Sequence, residues 1–274
     1  LVHHTEAAVF PEKFLKDRGW FQPEMLERVC GYCLQDGHWW KMGDTVRYYG
    51  NREFFLPYCE EMDRPYKRTC VKYDTYSLMP VEITQYVKEG VSNTVTASID
   101  YTVMQYWQVT DQNDNTAQVI YDALGRVIAS TGYGTADGIL EGDGDVSEYV
   151  RKDMDLEGVL ADPKACVQDM TGFYYYDQLA YQERKQPVSS ILLTRETYRS
   201  SRREEVINCQ VCYWDGFGHQ SEEKYKYDEN KWIVKNRTVY DGNGKELLIY
   251  PSFLADSPYY EYSEIPLPPV RQHY

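Results

Sequence analysis

The chain has 274 residues, with 43 acidic against 29 basic side chains and a formal net charge of −14. That length suffices to bury most of the unfolded-state surface in one large or two modest domains. The charge opposes phosphate backbones and anionic lipid surfaces, so neither nucleic acid nor a membrane is an expected partner, and no apolar run of about 18 residues predicts a spanning helix.

From the N-terminus, "LVHHTEAAVFPEKF" lacks Met and the charged-then-apolar pattern of a secretory signal, and reads as the interior of a longer protein. "FPEKFLKDRGW" and "PEMLERVCGYCL" place apolar residues three and four apart, with Pro11 and Pro23 suited to first turns, which predicts a partly helical connecting segment over 1–45. Everything from residue 46 to 274 reads as β, because from "GHWWKMGDTVRYYGNREFFLPY" onward short β-type runs are broken by Gly, Asn, Asp and Pro.

In "VIYDALGRVIAS" two runs rich in β-branched residues flank a tight reversal: the Asp122 carboxylate can bond backbone N–H groups ahead of it, and Gly125 can take the positive φ a hairpin needs at its last turn position. The frame of aromatic, Asp, two residues and Gly returns in "CYWDGFGHQ" as Asp215 and Gly218, and in "TVYDGNGKELLIY" as Asp241 and Gly244. Looser copies keep Tyr73-Asp74, Tyr176-Asp177 and Tyr227-Asp228, the last with Lys231 in place of Gly. Asp215, Asp228 and Asp241 recur every 13 residues, about two short strands with their connections. Each such hairpin is too small to bury its own face, so the chain predicts a stack of hairpins. The 27 tyrosines fit a sheet with one packed and one wet face.

Between the hairpins, the acidic stretch 134–158 lacks the Gly and closing Glu of a calcium loop and is expected as a flexible, exposed acidic loop. "TDQNDNTAQVIYD" fails the same test, with Thr116 where Gly is required, and reads as two successive turns. The seven cysteines are odd in number and irregular in spacing, unlike a small disulfide scaffold. Cys209 and Cys212 alternate on a strand and point to opposite faces, while Cys30 and Cys33 lie near a helix end without the preceding strand of a redox motif, so no zinc is expected. The common motifs for metallohydrolase, serine-nucleophile and phosphate-loop chemistry are missing. Neither catalytic residues nor a cofactor are predicted.

An ordered set of segments, "FFLPY", "DYTVMQYWQVTDQNDNTAQVIYDALGRVIASTGYG", "LTRETY", "YWDGFGHQ" and "WIVKNRTVYDGNGKELLIYPSF", resembles the B component of bacterial ABC-type (Tc) toxins, in the part after its β-propeller. The resemblance covers nearly the whole chain, thinning in residues 1–50 and after about 260. It implies Rhs-type YD repeats: an antiparallel β-hairpin spiral forming part of a hollow shell, with a short helical N-terminal segment. It further implies a noncatalytic wall around a cytotoxic effector in a secreted complex. The implied partners are a C-type Rhs protein with its encapsulated effector and an A-type channel component reached through the propeller. The propeller and the C component's aspartyl autoprotease motif and variable toxic C-terminus are not found in these residues.

Two other classes fit the β pattern. A YD-repeat adhesion protein would use the same wall for cell-surface recognition, flanked by epidermal-growth-factor-like modules and a membrane anchor. A carbohydrate-active β enzyme would need two carboxylates about 5–10 Å apart in a cleft. The wall reading predicts that the isolated chain leaves strand edges and apolar area uncovered, and so aggregates or folds incompletely without its flanking propeller and C-type partner. Edge pairing outweighs charge repulsion here because repulsion is screened over about 8 Å at physiological salt. Sedimentation and thermal melting check this; a monodisperse monomer with one sharp, reversible transition would contradict it.

Overall fold

Alternation of side chains along consecutive strands, broken at tight turns, builds a mainly β protein of antiparallel hairpins. The computed structural model describes residues 1–20, 22–63, 66–88, 90–201, 203–262, 265 and 267–272. The chain divides into two units, Leu1–Asp100 with Gln108–Asp114, and Tyr101–Trp107 with Asn115–Tyr274.

In the first unit, β1 (Glu6–Pro11) leads into α1 (Glu12–Asp17) and α2 (Pro23–Arg28), followed by β2 (Tyr32–Gln35) and β3 (His38–Met42). Segment 1–45 is thus as much strand as helix: β1, β3 and β2 form a small antiparallel sheet in which Trp39, opposite Phe10, is fully buried. The second helix ends sooner than its apolar spacing predicts. Gly31 takes φ +70 just beyond it, and Cys33 lies on β2, so Cys30 and Cys33 share no helical face. After these, β4 (Thr45–Tyr48), β5 (Pro57–Asp63), β6 (Tyr66–Tyr73), β7 (Pro80–Lys88) and β8 (Val91–Asp100) pair in sequence as an antiparallel meander. The next strand, β9 (Gln105–Thr110), is divided between the units.

The second unit continues with β10 (Thr116–Tyr121), β11 (Val127–Ala136) and β12 (Ile139–Gly142), then α3 (Leu156–Ala161), α4 (Pro163–Val167), β13 (Gly172–Asp177) and α5 (Ala180–Arg184). Beyond them lie β14 (Val188–Arg195), β15 (Ile207–Trp214), β16 (Gln220–Asp228), β17 (Lys231–Lys235), β18 (Thr238–Tyr240), β19 (Glu246–Ile249), β20 (Phe253–Ala255) and β21 (Val270–Arg271). Strands pair in the order β10-β11-β13-β14-β15-β16-β17-β20, with β12 on β11; β18, β19 and β21 form a separate sheet.

The core lies where β14 and β15 alternate without a break. Ile191 and Leu193 face Val211 and Cys209 across the strand pair, and Leu156, Val159, Cys166 and Val167 of α3 and α4 cover that face. These helices fall where the sequence reading expected only β. Their starts are nonetheless encoded: Asp155 and Asp162 cap them by accepting from the N–H of Gly158 at 2.9 Å and Ala165 at 3.0 Å, and Pro163 opens α4.

The acidic stretch 134–158, expected as an exposed loop, instead contains the β11–β12 hairpin, a short 3-10 turn at Val146–Glu148 and the start of α3. Two of its carboxylates are structural partners. Asp143 is 3% exposed and accepts from Thr171 Oγ1 at 2.5 Å and Arg199 N–H at 2.8 Å. Asp145 caps the 3-10 turn through Ser147 N–H and also accepts from Gln118 and Tyr133. These bonds hold its carboxyl far below the usual range, while burial first and Asp145 second push the Tyr133 hydroxyl up to about 12.

Leu193 is fully buried and Leu124 is 70% exposed at a turn tip. Leu193→Ala is expected to cost about 2–5 kcal/mol, whereas Leu124→Ala stays within about 0.5 kcal/mol. Urea unfolding of the two variants checks the placement of the core.

Candidate functional site

The repeated Asp frames share one geometry. Asp122 Oδ1 accepts the N–H groups of Leu124 at 2.9 Å and Arg126 at 3.0 Å. Asp215 Oδ1 accepts those of Phe217 and His219, both at 2.8 Å, and Asp241 Oδ1 those of Asn243 at 2.8 Å and Lys245 at 2.9 Å. In each frame the Gly N–H donates to the Asp carbonyl, and Gly125, Gly218 and Gly244 take φ +77, +86 and +77. The aromatic before each Asp sits at a bulge: pairing shifts at Ile120/Tyr121, Tyr213/Trp214 and Val239/Tyr240. This is a three-residue hairpin loop whose last residue needs the left-handed conformation, so glycine is favoured there.

Charge reinforces the turns. Burial pushes the Asp122 carboxyl up, but the Arg126 guanidinium at 2.5 Å and the backbone N–H groups outweigh it and hold the group below its usual range. Asp215 shows the same balance with His219 Nδ1 at 2.8 Å. At Asp241 the backbone donors of Lys245 and Asn243 lower the carboxyl.

Two further turns use the same chemistry without glycine. Asp74 Oδ1 accepts from Leu78 N–H at 2.7 Å and Met79 N–H at 2.8 Å, with Ser77 at φ +56. Asp111 Oδ1 accepts from Asn113 N–H at 2.8 Å, with Asp114 at φ +60. Asp228 departs from the frame. It pairs directly with Lys231 across a two-residue connection, and Tyr227 is exposed.

The tyrosine of each frame has its own task, which sequence reasoning missed. Tyr73 OH donates to Pro57 O at 3.1 Å, Tyr121 OH to Tyr106 O at 2.7 Å, Tyr240 OH to Gln220 O at 3.0 Å, and Tyr176 OH to Val127 O at 3.0 Å. Each hydroxyl therefore ties its own strand to the backbone of an earlier one. Trp214 substitutes an indole N–H to Ser190 Oγ at 3.3 Å. The structure brings two of the three glycine turns together, since the His219 ring stacks on Tyr240 at 4.7 Å and lies against Gly244. The Asp122 turn leans instead on Val103, Gln105 and, through Arg126, the ring of Tyr176.

A cluster of buried charges lies on the core face of β16. Glu222 and Lys224 are 1% and 2% exposed, in register with Tyr213 and Val211. Lys224 Nζ donates to the carbonyls of Ser257 at 3.2 Å and Tyr259 at 2.6 Å. Arg237 donates to Glu222 at 2.5 Å and to Glu261 O at 3.0 Å, and its guanidinium lies 4.2 Å from the Tyr260 ring centre. Tyr213 OH adds a bond to Pro258 O at 2.8 Å. Burial pushes the Lys224 ammonium down, the Glu222 carboxylate being the chief opposing influence. These groups clamp residues 257–261 over the sheet, beside a cavity of about 430 Å³ lined by Asp155, Glu157, Asp177, Arg184 and Tyr259. The signal for them was parity: charged residues continuing the buried register of β15.

Among the described residues, no group of three or more His, Cys, Asp or Glu side chains is placed to hold a metal ion. Cys209 is buried, with burial pushing its thiol up to about 12, and Cys212 on the other face is half-buried.

Bulged antiparallel hairpins with short helices on one face define a mainly β fold of the kind found in Tc toxin complexes. The chain is similar to the crystal structure of TcdB2-TccC3, with a TM-score of 0.78 and 21% identity over 95% of this chain and 14% of that one. It is also similar to TcdB2-TccC3-Cdc42 (TM-score 0.76, 19% identity, 95% of this chain and 16% of that one). A third likeness is the Photorhabdus luminescens Tc holotoxin pore (TM-score 0.74, 18% identity, 95% of this chain and 16% of that one). The chain therefore spans about a sixth of the length of the chains it matches. No protein-family model and no curated protein matches it.

Gly218 has open space around it, whereas a Cβ at Gly244 would lie 2.8 Å from His219 Cε1, a ring held by Asp215 and Tyr240. Gly218→Ala is expected to cost about 1–2 kcal/mol for the left-handed backbone alone, and Gly244→Ala measurably more. Equal losses on urea unfolding would mean that His219 moves aside freely.

Proposed function

We propose that this chain is a noncatalytic wall segment of a toxin-encapsulating cocoon, comparable to the B component of Tc toxins, which shields a cytotoxic effector before its translocation. The observation that carries the reading is the hairpin fold shared over 95% of the chain with TcdB2-TccC3. The physical logic supports it. Antiparallel neighbours satisfy one another's backbone groups, so a sheet extended hairpin by hairpin makes a continuous barrier with no gaps in its hydrogen bonding. The repeated turns supply the means of extension, and tyrosine bonds tie β6, β10 and β18 each to an earlier strand. On this reading the partners are a C-type Rhs protein with its enclosed effector, and an A-type channel component reached through a propeller. The assembly works outside the producing cell.

The test is protection. The full protein carrying this chain is co-expressed with a C-type Rhs partner, and the complex is treated with proteinase K. The effector segment should survive at least about tenfold longer in the complex than after urea treatment of the same sample. Failure of the two proteins to co-purify, or equal cleavage rates before and after unfolding, would overturn the proposal.

A further inference from the structure

Cys59 on β5 and Cys70 on β6 are direct partners in the antiparallel register, and their sulfurs lie 3.0 Å apart. Directly opposed residues on antiparallel strands hold their Cβ atoms about 4.5–5.5 Å apart, close to the range a disulfide spans. The two thiols therefore need only a small approach and no change of register. We propose that Cys59 and Cys70 form a reversible cross-strand disulfide, a covalent modification site that fastens β5 to β6. The bond is independent of the proposed encapsulating role.

The two thiols differ in access. Burial pushes the Cys59 thiol up, an effect that the Arg68 guanidinium, two residues before Cys70, opposes. Cys59 is 2% exposed and Cys70 is half-buried, so an oxidant in solution meets Cys70 first. Among the described residues no other cysteine stands opposite a cysteine in the strand register. Cys209 and Cys212 face opposite sides of β15, and Cys166 lies against the Met154 thioether at 3.4 Å.

The oxidant is a low-molecular-weight disulfide such as oxidised glutathione. The Cys70 thiolate attacks one of its sulfurs, forming a mixed disulfide and expelling one glutathione thiolate. The Cys59 sulfur, losing its proton to solvent, then attacks the Cys70 sulfur and expels the second glutathione. Two protein thiols are oxidised to one disulfide, two electrons pass to the glutathione disulfide, and two reduced glutathiones leave.

The full protein carrying this chain is incubated natively with oxidised glutathione or with dithiothreitol, its free thiols are alkylated, and its peptides are mapped without reduction. The linked Cys59–Cys70 peptide should rise at least about tenfold in the oxidised sample over the reduced one, with Cys209 unlinked. A companion sample oxidised in urea should give scattered pairings, which shows that the native strand register selects the bond. Cys70→Ser should abolish the linked peptide and leave Cys59 alkylatable after unfolding. Full alkylation of both cysteines in the oxidised native sample, glutathione retained on Cys70, or scattered pairings in the native sample would each overturn the proposal.

Discussion

The fold depends on one economical interaction, a carboxylate that satisfies the backbone N–H groups a tight reversal leaves without strand partners. Asp122, Asp215 and Asp241 each take two such donors on one oxygen, leaving the other free for a neighbouring side chain in the first two cases. Without it, these three hairpin ends would rely on water for the same groups. The chemistry is not confined to turns, since Asp155 and Asp162 apply it to the first N–H groups of α3 and α4. The pattern of Asp with Gly three residues later therefore starts a helix at Asp155 and Gly158, while at Asp122 and Gly125 it closes a hairpin. The neighbouring residues decide between the two outcomes: a β-branched run with period two, or Leu156 and Val159 three apart on one helical face.

If the carboxylates shape each hairpin, the tyrosines connect them. A phenol reaching an earlier strand's carbonyl adds a directional bond at the strand end, where the bulge has displaced the regular ladder. The aromatic ring also covers apolar surface while its hydroxyl finds a partner, which accounts for the use of tyrosine over phenylalanine at these positions. A sheet assembled this way gains its stability from contacts between consecutive hairpins, so it can be lengthened without redesigning a central core.

The buried charges obey a different rule. Glu222 and Lys224 occupy core positions of β16 because residues 257–261 fold over them and present carbonyl oxygens to the ammonium. Removing Glu222 would leave Lys224 and Arg237 buried without their carboxylate counterpart, a costlier state than the intact cluster. The docked segment is held through the carbonyls of Ser257 and Tyr259, which accept from Lys224, and that of Glu261, which accepts from Arg237. Asp143 and Arg195 show a similar economy at the end of the acidic stretch, where Arg195 Nε lies 3.6 Å from Asp143 and donates to the Met170 carbonyl.

The sequence alone determined the β character, the antiparallel hairpins and the sites of reversal at Asp122, Asp215 and Asp241, because those features are written in spacings of two to five residues. Alternation and turn chemistry act within that distance. It also carried the caps of α3 and α4, hidden among acidic residues that resembled a solvated loop. The tertiary structure decided whatever required distant residues to meet. Asp111 and Asp74 form turns with Asp114 and Ser77 where glycine would be expected, because backbone contacts can hold a non-glycine residue at positive φ. Tyr227-Asp228, a match to the repeat by composition, has no such turn. The burial of Glu222 and Lys224 depends on a segment more than thirty residues away in the chain, and the meeting of Cys59 with Cys70 depends on the register of two strands. Local pattern fixes which face a side chain takes; only the packed chain fixes what covers that face.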